Sequence, residues 1–120
     1  MNHLVNALTG DILVKRLLVR GTFWGRLRGL LFYRELEAGS AMLLVATNRV
    51  HTYGMLFPLD LYFLNSSMGL IEFQDRVLPW RLPRSPEGTR HILEIQHRTG
   101  TGPLKLDIGE RVSILWKTRT

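Results

Sequence analysis

The 120-residue chain, of 13.8 kDa, has the length of one domain. Hydrophobic residues make up 45% of it and charged residues 22%, a balance that excludes a disordered chain, and no apolar run approaches the ~18 residues of a membrane span. Sixteen Lys and Arg against ten Asp and Glu leave a net charge of +6, which favours an anionic partner such as nucleic acid, a phosphorylated ligand or a membrane surface.

In chain order, Leu4–Leu8, the turn Thr9-Gly10-Asp11 and Ile12–Val19 read as two strands joined tightly, with Ile12, Val14 and Leu18 on one face and Lys15 on the other. Thr22 stands where a helix N-cap belongs. After it, Phe23, Leu27, Leu30 and Leu31 recur at i, i+4, i+7 and i+8, the stripe of an amphipathic helix. Gly25 and Gly29 lie four apart in that helix, a spacing that suits close approach to the sheet. Ala41–Val45 reads as a short buried strand. Phe57–Leu64 alternates Phe57, Leu59, Leu61 and Phe63 on one face with Pro58, Asp60, Tyr62 and Leu64 on the other. The turn cluster Asn65–Gly69 leads into Leu70–Leu78, and these two strands are expected to form a hairpin. Pro79, Pro83 and Pro86 make Leu78–Gly88 an irregular surface loop. His91–Gln96 is a strand with Leu93 and Ile95 inward and Glu94 and Gln96 outward, and Arg111–Trp116 is the last strand. The expected architecture is one α+β domain over residues 1–120. It is mostly β, an antiparallel barrel-like sheet of about seven short strands with one packed helix.

The basic residues cluster in two stretches. Lys15, Arg16, Arg20, Arg26, Arg28 and Arg34 face only Asp11, and Arg76, Arg81, Arg84 and Arg90 face only Glu87. Neither is a dense run, and each also serves as ordinary solvated surface. The absence of Cys removes disulfides and thiolate chemistry. The N-terminus has no positive n-region and no long apolar h-region, so no secretory signal is read and the cytoplasm is the default address.

Val50–Asp60 interrupts an apolar context with polar and special residues. The string Val50–Asn65 (VHTYGMLFPLDLYFLN) resembles the signature of the uncharacterised family catalogued as domain of unknown function 192. Arg28-Gly29-Leu30-Leu31, Ile92-Leu93-Glu94-Ile95 and Ile108–Val112 resemble that family's Arg-Gly-Leu-Met helix, Val-Leu-Glu-Leu strand and closing Gly-Asp-Xaa-Val. The chain departs from the pattern at Asn48, where a Cys often stands, at Leu56, where a basic residue is common, and over Thr99–Pro103, where relatives carry a helical link. The resemblance implies a small, mostly β fold and brings no activity, cofactor or catalytic residue.

His51 is the first candidate for chemistry, since an imidazole acts as acid, base or ligand near neutral pH. Against this stands a histidine that simply hydrogen-bonds within a turn. Asp60 is its natural partner, nine residues on, across the turn at Gly54. A buried carboxylate needs partners, and those expected for Asp60 are His51, Arg28 or backbone N–H groups. Metal binding is disfavoured because His91 and His97 are six apart and no His pair sits at i, i+4 with a Glu. No nucleophile elbow or phosphate loop is present. No catalytic residue, metal or cofactor is assigned.

The function expected is a non-catalytic small binding module. Its pocket is lined by His51, Thr52, Tyr53, Met55, Asp60 and Tyr62, and Arg28 or Arg49 offers charge to a small or anionic ligand or to a protein partner. A small hydrolase or lyase using His51 and Asp60 as base and orienter is the alternative. Nucleic-acid binding through Arg residues interleaved with Trp24, Tyr33 and Trp80 is a further one, set against their use as core-edge anchors. The oligomeric state is left open.

Overall fold

The computed structural model describes residues 2–22, 30 and 33–117. Eight strands run through them: β1 (His3–Asn6), β2 (Ile12–Val14), β3 (Arg16–Arg20), β4 (Ser40–Leu44), β5 (Leu59–Leu64), β6 (Leu70–Val77), β7 (His91–Gln96) and β8 (Val112–Leu115). They make a three-stranded sheet in the order β2-β1-β8 and a five-stranded sheet in the order β3-β4-β7-β5-β6. Every pair is antiparallel except β3–β4, which is parallel.

This corrects the barrel-like sheet with one packed helix. Each sheet has two open edges, and the described residues contain no helix. The helix expected after Thr22 falls on 23–29 and 31, outside the described residues, so Gly25, Gly29, Trp24 and Arg28 receive no placement. The physical reason for the two sheets is a break at Lys15. The continuous strand expected over Ile12–Val19 divides there. Lys15 and Arg16 both donate their N–H to the Gly39 carbonyl, at 3.0 and 3.1 Å, and Leu17 donates to Asn2 O at 2.9 Å. The chain thus leaves the small sheet and enters the large one. Parallel β3 and β4 then require a long crossover, which residues 21–39 supply.

The expected hairpin of Leu70–Leu78 on Phe57–Leu64 is present as β5–β6. Asn65 builds its turn, with Oδ1 accepting the N–H groups of Ser67 and Gly69, both at 2.9 Å. At the other hairpin, β1–β2, Asn6 does the same for Leu8 and Thr9. These Asx-type bonds are local sequence chemistry.

The core has two parts, one on each face of the five-stranded sheet. Between the sheets lie Leu4, Val14, Leu17, Leu43, Tyr62, Leu64, Leu93 and Val112. On the far face lie Leu30, Met42, Leu44, Val50, Met55, Phe57, Leu59, Leu61, Phe63 and Ile92. Period-2 alternation sends successive residues of a strand to opposite faces. A central strand buried on both faces therefore reads as nearly continuous hydrophobic sequence, as Leu59–Leu64 does, with only Asp60 left part-exposed.

Glu94 is where this matters most. It was expected to point outward, but it faces the far side beside Met42 and Leu61 and is only 1% exposed. Its Oε2 has no hydrogen-bond partner among the described residues. Burial pushes its carboxyl from 4.5 up to about 8. The fold therefore holds a proton that the unfolded chain releases at the ordinary carboxylate value. The stability this group contributes is full below the unfolded pKa and declines as pH rises toward 8. Urea denaturation of wild type and Glu94→Gln at pH 5 and pH 8.5 measures it. Between those conditions the stability difference should move in favour of the glutamine variant, on the order of a few kcal/mol.

Candidate functional site

The segment between β4 and β5 is held by one buried side chain. Gly54, at φ 75°, turns the chain, and Val50, Met55 and Phe57 sink into the far-face core. Thr52 between them is fully buried. Its N–H donates to Arg81 O at 2.9 Å, and its carbonyl accepts from Trp80 N at 2.9 Å and from Met55 N at 3.2 Å. Its hydroxyl donates to Leu78 O at 2.7 Å and accepts from Arg81 N at 2.9 Å. The 51–56 loop and the 78–82 loop are thereby tied side by side. The proline-rich loop expected over Leu78–Gly88 is irregular as read, and this tie gives it a fixed position.

The outer side of the tied loops carries rings. His51 stacks on Tyr53 with centroids 5.3 Å apart and planes at 25°, and Tyr53 lies 6.2 Å from Trp80. His51 Nδ1 accepts the Tyr53 N–H at 3.2 Å, so Nε2 is the nitrogen left to carry a proton. Trp80 is 67% exposed, yet its backbone takes φ 65°. That left-handed geometry is costly for a bulky aromatic residue, and the N–H bond to Thr52 helps to hold it. Tyr53, Leu56, Leu78 and Leu82 are exposed on the same two loops.

Alongside runs an open hollow of about 480 Å³, lined by Asn48, Arg49, Leu82, Arg84, Ser85 and neighbouring residues. The Ser85 hydroxyl is buried in its wall without a hydrogen-bond partner among the described residues. Arg49, Arg81 and Arg84 are all exposed.

Asp60 and Tyr62 lie elsewhere. They point to the opposite face of the five-stranded sheet, toward the small sheet, where they line a narrow cleft of about 170 Å³ with Gln96, Arg98 and Leu104. Asp60 Oδ1 meets His97 Nδ1 at 2.8 Å and accepts the Arg76 N–H at 3.0 Å. Of the partners expected for it, the backbone N–H is present, and the imidazole is that of His97. His51 and Asp60 share no hydrogen bond or ion pair, so the base-and-orienter pair is not assembled.

Tyr62 is buried against Phe73, with centroids 4.6 Å apart. Its hydroxyl accepts from Leu104 N at 2.9 Å. Burial pushes that hydroxyl up to about 12, and the Asp60 and Asp75 charges add to the rise against the opposing Leu104 bond.

Asp75 Oδ1 also approaches His97 Nδ1, at 3.3 Å. The donor atoms of Asp60, Asp75 and His97 lie within 4.8 Å of one another. Two carboxylates and one imidazole suit Zn²⁺ or Mn²⁺ by type, but His97 Nδ1 is already engaged by both carboxylates. His91, the other strand-end histidine, accepts the Ala46 N–H at 3.0 Å. Burial, reinforced by Arg90, lowers its pKa.

The eight residues expected to form one pocket are thus divided. Arg49, His51, Thr52, Tyr53 and Met55 belong to the tied loops, with Thr52 and Met55 inside as anchors. Asp60 and Tyr62 belong to the inter-sheet cleft, and Arg28 lies outside the described residues. Arg84, Asp75 and His97 are not among the residues expected at the site, and Trp80, weighed as a nucleic-acid contact against a core-edge anchor, is 67% exposed. Trp80 carried the available signal, an aromatic residue between prolines in an arginine-bearing loop. His97 gave none, because its partners come from β5 and β6.

The family model of DUF192, described as "Uncharacterized ACR", matches residues 7–114. A "UPF0127 protein" of Thermococcus sibiricus is 28% identical over 95 residues, which cover 76% of this chain and 61% of the relative, so the chain spans less than two thirds of that protein's length. A crystal structure of a protein of unknown function from Novosphingobium aromaticivorans aligns with a TM-score of 0.72 at 17% identity, covering 93% of this chain and 82% of that one. At that identity the likeness is one of fold.

Thr52→Val keeps the shape of the anchor and removes its hydroxyl. Leu78 O and Arg81 N lose their partner, and leaving buried groups unpaired costs about 1–3 kcal/mol each. Chemical denaturation should show a loss of about 2 kcal/mol, with Thr52→Ser close to wild type.

Proposed function

The chain belongs to DUF192, and from that starting point we propose that it is a small non-catalytic binding module whose ligand face is the pair of loops tied at Thr52. One observation carries this reading: a solvent-facing row of His51, Tyr53 and Trp80, held rigidly from beneath, stands beside a hollow edged by Arg49 and Arg84. Rings on a fixed backbone lose little conformational freedom on binding, which makes them efficient contact residues. Arg49 and Arg84 supply charge to an anionic ligand or partner. Met55 and Thr52 position the loop and touch no ligand. Asp60 and Tyr62 are scaffold in this reading, since their polar atoms are engaged across the other face of the sheet.

Catalysis is not assigned to the face. Its imidazole is occupied at Nδ1 by a main-chain N–H, and no carboxylate is bonded to it among the described residues. Among those residues no helix is long and apolar enough to cross a membrane. The cytoplasm remains the proposed address.

Inorganic tripolyphosphate serves as a probe of the face. Calorimetric titration at low salt should show binding weakened about tenfold by Arg49→Ala or Arg84→Ala, the worth of one charge-assisted hydrogen bond. His97→Ala, on the other face of the sheet, should stay within about twofold of wild type. Equal affinity in wild type and both arginine variants would place the anion site elsewhere.

A further inference from the structure

The tied loops carry more than a soluble anion needs. Leu56, Leu78 and Leu82 are exposed there together with Tyr53 and Trp80, and Leu56 and Leu82 are each more than 60% exposed. These are not core residues that failed to pack. The same loops send Val50, Met55 and Phe57 fully into the core, and Thr52 fixes which side chains point out. Around the apolar group stand Arg49, Arg81 and Arg84, and the stretch 76–90 carries Glu87 as its only acid. Deepening the binding reading above and resting on it, we propose that this face docks on an anionic lipid bilayer. Leu56, Trp80 and Leu82 enter the boundary between headgroups and acyl chains, and the arginines lie on lipid phosphates.

Each part of the face has a place in such a contact. Aliphatic side chains gain by leaving water. Tyr and Trp settle at headgroup level, where one part of the ring system is apolar and the other wet. Arginines are drawn to the negative surface potential of the leaflet. A single-stranded nucleic acid fits less well. It would use the rings and the arginines, but three leucines would find no apolar partner, and His51 already covers one side of Tyr53. The bilayer also explains why Trp80 is kept in a left-handed conformation at the tip of a loop. The bond to Thr52 holds that costly backbone in place and with it a large amphipathic ring out in water, ready for the surface.

The test is co-sedimentation of the full chain with large unilamellar vesicles. One set contains equal parts phosphatidylglycerol and phosphatidylcholine, the other phosphatidylcholine alone. Partitioning into the anionic vesicles should exceed that into the neutral ones by at least about tenfold and should fall at ~0.5 M salt. Leu82→Asp and Trp80→Ala should each lower it about tenfold, and Arg84→Gln about fivefold. All three side chains are exposed, and circular dichroism of each variant should match wild type. Leu115→Ser, on β8 of the other sheet, should change nothing.

Four results would overturn the inference. Partitioning into anionic vesicles that is indifferent to Leu82→Asp and Trp80→Ala would be adsorption by charge alone. Tripolyphosphate binding without vesicle binding would leave the anion-binding module standing and remove the bilayer. Binding to a single-stranded oligonucleotide that is sensitive to Trp80→Ala, with no vesicle binding, would transfer the face to nucleic acid. Loss of both tripolyphosphate and vesicle binding would remove the inference together with the reading beneath it.

Discussion

The exposed face depends on the burial of Thr52. A threonine sealed from water must satisfy its N–H, carbonyl and hydroxyl within the protein, and here all three are satisfied largely by the 78–82 loop. Two segments that sequence places far apart thus become a single rigid surface. The residues on either side of Thr52 have no choice of direction once it is fixed. Met55 and Val50 go inward, and His51 and Tyr53 go outward. Trp80 is brought beside Tyr53 because its own N–H is one of the bonds.

The five-stranded sheet acts as a partition. Its central strands β4, β5 and β7 are largely buried on both faces, and the two faces serve different ends. One, with Tyr62, Leu64 and Leu93, packs on the small sheet and holds the Asp60–His97 contact. The other, with Leu61, Phe63 and Ile92, receives the loop that carries His51. Residues that are near neighbours in sequence, such as Met55 and Asp60, are therefore assigned to opposite faces. A pocket drawn from sequence proximity was bound to combine them.

Glu94 shows the cost of that two-faced design. A carboxyl at the centre of a doubly buried sheet has no water to solvate its charge, and it remains protonated well above the usual carboxylate range. Ile92 shares its face, and its neighbours along the strand, Leu93 and Ile95, turn to the other, so a single polar residue in an apolar run is the feature that sequence alternation misreads.

Short-range chemistry was legible in the sequence. Strand β7 has the bounds expected for it, and the β5–β6 hairpin and its turn at Asn65 follow from alternation and from a side chain that bonds its own backbone within four residues, whereas Asn6, expected inside a strand that runs to Leu8, ends β1 instead. Membership of the family was legible too, because Val50–Asn65 and its flanking motifs stand in one order along the chain. Tertiary structure alone decided what depends on residues distant in sequence. It decided the break at Lys15 that separates two sheets, the parallel pairing of β3 with β4, the inward turn of Glu94 and the choice of His97 over His51 as the partner of Asp60. Local propensity reaches only a few residues, whereas these outcomes are set by which strand lies across the ladder and what covers each face.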